Sequence, residues 1–316
     1  MRQSIRKNNI WNDFYEQAWD RRKSIMSRII SSGERNPLRV ISELESISRF
    51  SEQRRTFDDG NGKFIFEEDI NYIQHDISNV QVNAKDRSIS IAPVTKYPNG
   101  LDIDKILPHR DGNLQVPFYA KNNNMEFIAD YCRLRNYDAV IELGSGYAQN
   151  LIKLHFLGGP KVPYYAGEYT KSGCECASML GDLDSEINLI PFDFDYLSAD
   201  FSSIKQFDNV LVFTCHSIEQ VTNIPKDLIP KISRIADNVT CIHIEPFGFQ
   251  LTSSHNESEV DKCHRSFFAK NAWNQNLASS LVYHHLCNNI ELNYISPNIM
   301  GGLENNPSSL ALWKSR

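Results

Sequence analysis

Four residues in one short span could do chemistry together: Glu142, Gly144, Gly146 and Glu168. The stretch Ala139 to Leu143 carries no polar residue until Glu142 and reads as a buried strand. Gly144, Ser145 and Gly146 then read as a tight loop, and Leu151, Ile152, Leu154 and Phe156 as the apolar positions of a helix. A second strand, Tyr164 to Gly167, ends in Glu168. Strand, Gly-rich turn, helix and acid-tipped strand make a mononucleotide-binding half. The glycines let backbone approach a ligand closely, and the second acid offers two acceptor oxygens to a ribose diol. A blander alternative stays open for each acid. Glu142 could bond nearby loop amides, and Glu168 could be a solvated strand end paired with Lys171.

The ligand class is narrowed by what fails to fit. A Gly-x-Gly-x-x-Gly fingerprint starting at Gly144 would end on Gln149, and no Gly-x-x-x-x-Gly-Lys-Ser/Thr loop is present. The pattern that does fit is Glu-x-Gly-x-Gly-x-Ala, Glu142 to Ala148. This stretch resembles motif I of class I S-adenosylmethionine-dependent methyltransferases, in which a small residue can replace the third glycine. The resemblance spans roughly residues 116–316 and implies S-adenosylmethionine as cofactor, with S-adenosylhomocysteine released. It implies cofactor contacts from Glu142, Gly144, Ser145 and Gly146, and a ribose contact from Glu168. By the same resemblance Asp193 would accept from the adenine amino group, Phe194 would lie against the ring, and Thr214 would help to floor the cofactor. Asp195 is an alternative to Asp193.

Acid–base chemistry has two histidine candidates. His216 follows a strand-like run ending at Thr214, where the resembled enzymes face their acceptor, and an imidazole there can take a proton near neutral pH. His264 lies in the polar stretch Ser253 to Arg265 and is the second candidate. Glu219, Glu245 and Arg265 are candidate acceptor contacts, with Gln220, Trp273 and Tyr283 nearby in the chain. The alternative is ordinary loop polarity, with His216 merely hydrogen-bonded in its turn. His243 and Glu245 alternate onto one side of a strand and raise a divalent-metal possibility. Magnesium prefers oxygen ligands and no carboxylate-rich cluster is evident, so no metal is expected. Cys174-x-Cys176, Cys263-His264 and His284-His285 lack the spacing of structural zinc sites.

These residues need a frame. From Val116 onward, helical and strand patterns alternate, which predicts an α/β fold with a mainly parallel sheet. Helices are expected at Met125 to Leu134, Cys174 to Leu180, Ile224 to Ile235 and Ala272 to Cys287. Strands are expected at Ile187 to Phe192, Val210 to Thr214, Val239 to Ile244, Ile290 to Ile295 and Ser308 to Trp313. The resemblance makes this a Rossmann-like seven-stranded sheet, helices on both faces, closed by an antiparallel strand. Residues 1–115 read as a separate extension. Trp11, Phe14, Tyr15 and Trp19 begin a helical stripe, and Pro37 opens a second helix. Short strand-like runs at Lys63 to Phe66, Val80 to Val82 and Ser88 to Ile91 suggest hairpins. The stripe is expected to pack, with a lid over the acceptor as the alternative.

Bulk properties limit the partners. The chain has 316 residues, a formal net charge of -6 and a pI near 5.9. An acidic balance disfavours a nucleic-acid footprint. No run is long and apolar enough to span a membrane, and no signal peptide is visible. The seven cysteines form no framework and read as reduced, mostly buried thiols of a cytoplasmic protein. The expected activity is methyl transfer to a small molecule, first a hydroxyl of a sugar or other metabolite. An amine or peptide-derived acceptor is the alternative within the enzyme class, a non-catalytic binding or scaffold protein the alternative outside it. A homo-oligomer is compatible with all of these.

Overall fold

A computed structural model describes residues 2–53, 56–58, 63–65, 80–83, 88–91, 109–110, 113–114, 124–252, 259–303 and 306–316. The chain divides into two units, Met1–Lys105 and Ile106–Arg316. In the first, helix α1 (Arg2–Ser31) turns at Gly33 and packs on α2 (Pro37–Gln53). Pro37 sits at the first helical position, and the Asn36 side chain caps the free amides of Leu38 and Arg39. Phe14, Ala18, Met26 and Ile29 of α1 and Val40, Ile41 and Leu44 of α2 are buried, while Tyr15 stacks on Trp19. The side chain of Trp11 lies outside the described residues. Strands β1 (Thr56–Asp58) and β2 (Lys63–Ile65) pair antiparallel, as do β3 (Val80–Asn83) and β4 (Ser88–Ile91).

The second unit opens with a two-residue ladder, β5 (His109–Arg110) with β6 (Asn113–Leu114), and then helix α3 (Asn124–Arg133). Its centre is a seven-stranded sheet: β7 (Ala139–Leu143), β8 (Tyr164–Glu168), β9 (Leu189–Asp193), β10 (Asn209–Cys215), β11 (Asn238–Glu245), β12 (Ile290–Leu303) and β13 (Asn306–Ser315). The spatial order is β12-β13-β11-β10-β7-β8-β9. All neighbours from β11 to β9 pair parallel, and β13 runs antiparallel between β11 and β12. This is an α/β, Rossmann-like sheet closed by an antiparallel last strand, as expected. Helices α4 (Gln149–Phe156) and α5 (Lys171–Gly181) are the crossovers around β8.

Period-two alternation explains why the strands read as continuous apolar runs. Ala139, Ile141, Leu143, Val210, Val212, Val239 and Cys241 enter one core. Val140, Leu211, Phe213, Ile242 and Ile244 enter the core on the other face. Both faces are covered, so the strand interiors are mostly apolar, and a polar exception such as His243 is hydrogen-bonded within the core.

Five expectations need correction. The helix expected over Ile224 to Ile235 is only α6 (Leu228–Ile232). Pro225 and Pro230 each lack an amide hydrogen, and a start at Leu228 keeps Pro230 within the first turn, where that loss is tolerated. The helix expected over Ala272 to Cys287 starts at Leu277, giving α8 (Leu277–Leu286). Asn274 binds the amides of Asn276 and Leu277 and makes the preceding residues a turn. The polar stretch Ser253 to Arg265 is not all loop, because α7 (Glu259–Asn271) takes its second half. Strand β12 runs well past Ile295 by means of an irregularity between Ser296 and Gly301. Two of the seven cysteines, Cys263 and Cys287, are exposed rather than buried.

Candidate functional site

The switch point of the sheet lies between β7 and β10, where the chain leaves the central strands in opposite directions. The loop after β7 folds over β8. The amides of Gly144 and Ser145 donate to the Gly167 carbonyl at 2.8 and 2.9 Å. The Gly146 amide donates to Glu168 Oε2 at 2.8 Å. Gly144 has φ 71°, and a β-carbon there would lie 2.4 Å from that of Ser217. Glycine is therefore required both for its conformation and for the close approach of the loop after β10. Ala148 stands at the N-terminus of α4 with φ 63°, a left-handed conformation that favours glycine.

Glu168 is held from two sides. Its Oε1 accepts from the amide and hydroxyl of Thr170 at 2.9 and 2.7 Å. Thr170 in turn caps α5 by accepting from the Gly173 amide. Thus the acid expected to meet a ribose is fixed by the turn that starts the next helix. Asp193 is exposed at the end of β9, directly opposite Glu168 in the strand register. Phe194 points the other way, into a ring cluster with Tyr196 and Phe201. Ser145 is buried, with its hydroxyl unpartnered.

Glu142 is 1% exposed. Its Oε1 accepts from the Asn150 side-chain amide at 2.7 Å, while Oε2 has no hydrogen-bond partner. Burial pushes its pKa up to about 8, with the charges of Glu168 and Glu245 acting in the same direction and the Asn150 hydrogen bond opposing. A buried carboxylate oxygen without a donor is costly, and a cationic donor would relieve it.

Glu245, at the end of β11, organises the loop after β10. It accepts from the Ser217 amide at 3.0 and 3.1 Å and from the Ile218 amide at 3.2 Å. Burial raises its pKa to about 7, against the pull of His216. Ser217 also donates to the Leu143 carbonyl at 2.9 Å, as does the Tyr196 hydroxyl at 2.7 Å, tying this loop to β7. Behind Glu245, Trp313 donates to His243 Nε2 at 3.0 Å. An indole nitrogen can only donate, so the other ring nitrogen of His243 carries the proton and faces the Thr214 hydroxyl at 3.0 Å. Burial depresses the His243 pKa to about 3 and keeps the ring neutral. Thr214 is thus fully buried in the strand, bonded to a core histidine.

His216 has φ 50°, a strained conformation for a residue with a side chain. Its Nδ1 lies 3.2 Å from Glu219 Oε2 and its Nε2 2.6 Å from the Ser308 hydroxyl. Burial opposes its charge, but the Glu219 carboxylate and the charge of Glu245 outweigh this and raise its pKa. Glu219 is itself buried and accepts from Gln220. The structure therefore gathers Glu142, Gly144, Gly146, Glu168, His216, Glu219 and Glu245 at the C-terminal edge of the sheet. His264 and Arg265 lie on α7. His264 is packed between the rings of Phe249 and Phe268, and Arg265 donates to the carbonyls of Phe249 and Thr252. Asn150, Ser217 and Ser308 were not singled out in the sequence. Asn150 had a local signal, a polar position eight residues after Glu142 on the first turn of α4, and Ser217 had its place directly after His216 in the stretch Thr214 to Gln220, whereas Ser308 had none. Among the described residues no group of three or more His, Cys, Asp or Glu is arranged to hold a metal ion, and no helix is long and apolar enough to cross a membrane.

No family model and no curated protein matches the sequence. Among solved structures the chain is similar to geranyl diphosphate C-methyltransferase from Streptomyces coelicolor A3(2), in complex with Mg2+, geranyl diphosphate and S-adenosyl-L-homocysteine (12% identity, TM-score 0.42, 60% of this chain and 78% of that one). It is also similar to the plantazolicin methyltransferase BpumL in complex with a monoazolic desmethylPZN analog and SAH (14%, 0.41, 61% and 82%). A third is the N-terminal domain of EvdMO1 in the presence of SAH and D-fucose (12%, 0.38, 66% and 88%).

Proposed function

We propose that this chain is an S-adenosylmethionine-dependent methyltransferase acting on a hydroxyl of a small molecule, a sugar or comparable metabolite. The observation that carries the reading is the unpartnered buried Oε2 of Glu142 beside the Gly144–Gly146 loop and Glu168. A ligand with a cationic end and a ribose matches both features. Glu142 would take the ammonium of the methionine portion. Glu168 would take the ribose hydroxyls as an acceptor, and Asp193 the adenine amino group. The cofactor supplies an activated methyl on a positively charged sulfur. The three buried glutamates Glu142, Glu168 and Glu245 favour that charge over the neutral product.

The chain's remaining task is alignment and proton removal. The acceptor oxygen forms a bond to the methyl carbon as the carbon–sulfur bond breaks, its electron pair staying on sulfur. The acceptor's proton goes to His216, whose Nδ1 is oriented by Glu219. His216 is preferred to His264 because it stands at the sheet edge, whereas His264 is 1% exposed within an aromatic cluster.

Two substitutions test the reading. Glu168→Ala should weaken S-adenosylmethionine binding by about 100-fold, measured calorimetrically. Unchanged affinity would remove the ribose assignment. His216→Ala should slow methyl transfer by about 100-fold while sparing cofactor affinity. Near-normal turnover would reject it as the base.

A further inference from the structure

Resting on the methyl-transfer reading, we propose that Ser308 is the hydroxyl through which the acceptor's proton reaches His216. The argument begins with the two ring nitrogens, both of which are engaged. Nδ1 faces Glu219 Oε2 at 3.2 Å and Nε2 faces Ser308 Oγ at 2.6 Å. A carboxylate can only accept, so the neutral ring places its proton on Nδ1 and leaves the Nε2 lone pair toward serine. Glu219 cannot then feed a proton to a nitrogen that already has one. The open nitrogen faces the Ser308 hydroxyl.

Ser308 is suited to pass a proton on. Among the described residues its hydroxyl has no partner other than His216, which leaves oxygen lone pairs for an incoming O–H. It lies near the start of β13, and its neighbour Ser309 stands opposite Glu245 in the register, so it is at the same sheet edge as the Gly144 loop. The step balances. The acceptor's O–H bond breaks as its oxygen bonds the methyl carbon, and the proton bonds to Ser308 Oγ. The original serine proton moves to His216 Nε2, giving an imidazolium stabilised by Glu219 and Glu245. Serine, histidine and acid stand in the order of a hydrolase triad. Here the serine is 2% exposed within a strand rather than raised on a sharp turn, which suits proton relay rather than acyl transfer.

The test starts with the free full-length protein, labelled with 15N in its nine histidines. His216 is assigned by loss of its signals in His216→Gln. On the alkaline side of its titration, His216 should show a protonated Nδ1 and an unprotonated Nε2. A protonated Nε2 would overturn the relay, since that nitrogen could not receive the serine proton. The second arm follows methyl transfer from labelled S-adenosylmethionine to a mixture of free hexoses and 6-deoxyhexoses. Ser308→Ala should lower turnover by about 100-fold with cofactor affinity unchanged, and Ser308→Thr, which keeps the hydroxyl, should restore most of it. Equal turnover in Ser308→Ala and wild type would also overturn the relay. Cofactor binding is measured separately by calorimetry, so failure of the methyltransferase reading is distinguishable from failure of the relay.

Discussion

Glu142 enters the free protein with its pKa raised to about 8 by burial, from an ordinary value of 4.5. Much of it is therefore protonated at neutral pH. A cation bound at Oε2 favours the charged form and expels the proton. Calorimetric titration with S-adenosylmethionine at neutral pH, in two buffers of different ionisation enthalpy, should reveal proton release that is lost in Glu142→Gln. Identical enthalpies in both buffers would contradict the pairing. The same shift has a stability consequence. Because the folded pKa lies above the unfolded one, the native state holds more protons between 4.5 and about 8. Its contribution is full below the unfolded value and is lost as pH rises through the folded value. Urea unfolding should show the free protein losing stability from mildly acidic to alkaline pH, with a smaller loss in Glu142→Gln. His243 works in the opposite sense. Its pKa is depressed to about 3, so its contribution is present above 6.5 and is lost as pH falls toward the folded value. At this scale the legible residues are those whose meaning is local in the chain. Glu142, Gly144 and Gly146 share one strand-and-turn, and Glu168 stands at the end of the next strand. Ser308 meets His216 across 92 residues of sequence, and no pattern near a serine in a strand announces such a contact.

Among the elements, the turn after β7 is the one whose geometry is least negotiable. Gly144→Ala would add the cost of a left-handed alanine to an overlap with Ser217, together about 2 kcal/mol or more. The expected result is a marked fall in unfolding free energy and loss of cofactor affinity. A variant with wild-type stability would show that the turn can relax. The strands β7, β8, β10 and β11 were legible because burial on both faces makes them largely apolar runs. Helix ends and the two last strands were less so. The start of α8 is set by Asn274, whose side chain reaches amides along its own turn and also the Val221 carbonyl. The length of β12 is set by pairing with β13 around an irregularity, and the sequence there reads as Pro297 and Gly301-Gly302 punctuation. Tertiary pairing overrides that local signal.

For the molecule as a whole, the alternation of strands and helices foretold the sheet, and the resemblance supplied its closing antiparallel strand. The acceptor was not legible, because its recognition depends on side chains gathered from separate elements. Ligand binding should register globally. A cofactor held only by the folded state should raise unfolding free energy by about 2.7 kcal/mol at a concentration 100 times its Kd, visible as a higher melting temperature. The proposal is that the C-terminal edge of β7, β8 and β10 takes S-adenosylmethionine. Its most direct test is calorimetric titration of the purified full-length protein with S-adenosylmethionine and S-adenosylhomocysteine, with NAD as control. Binding of the first two in the micromolar range, with none for NAD, is the expected result. Absence of binding by both, or binding of NAD in their place, would contradict it.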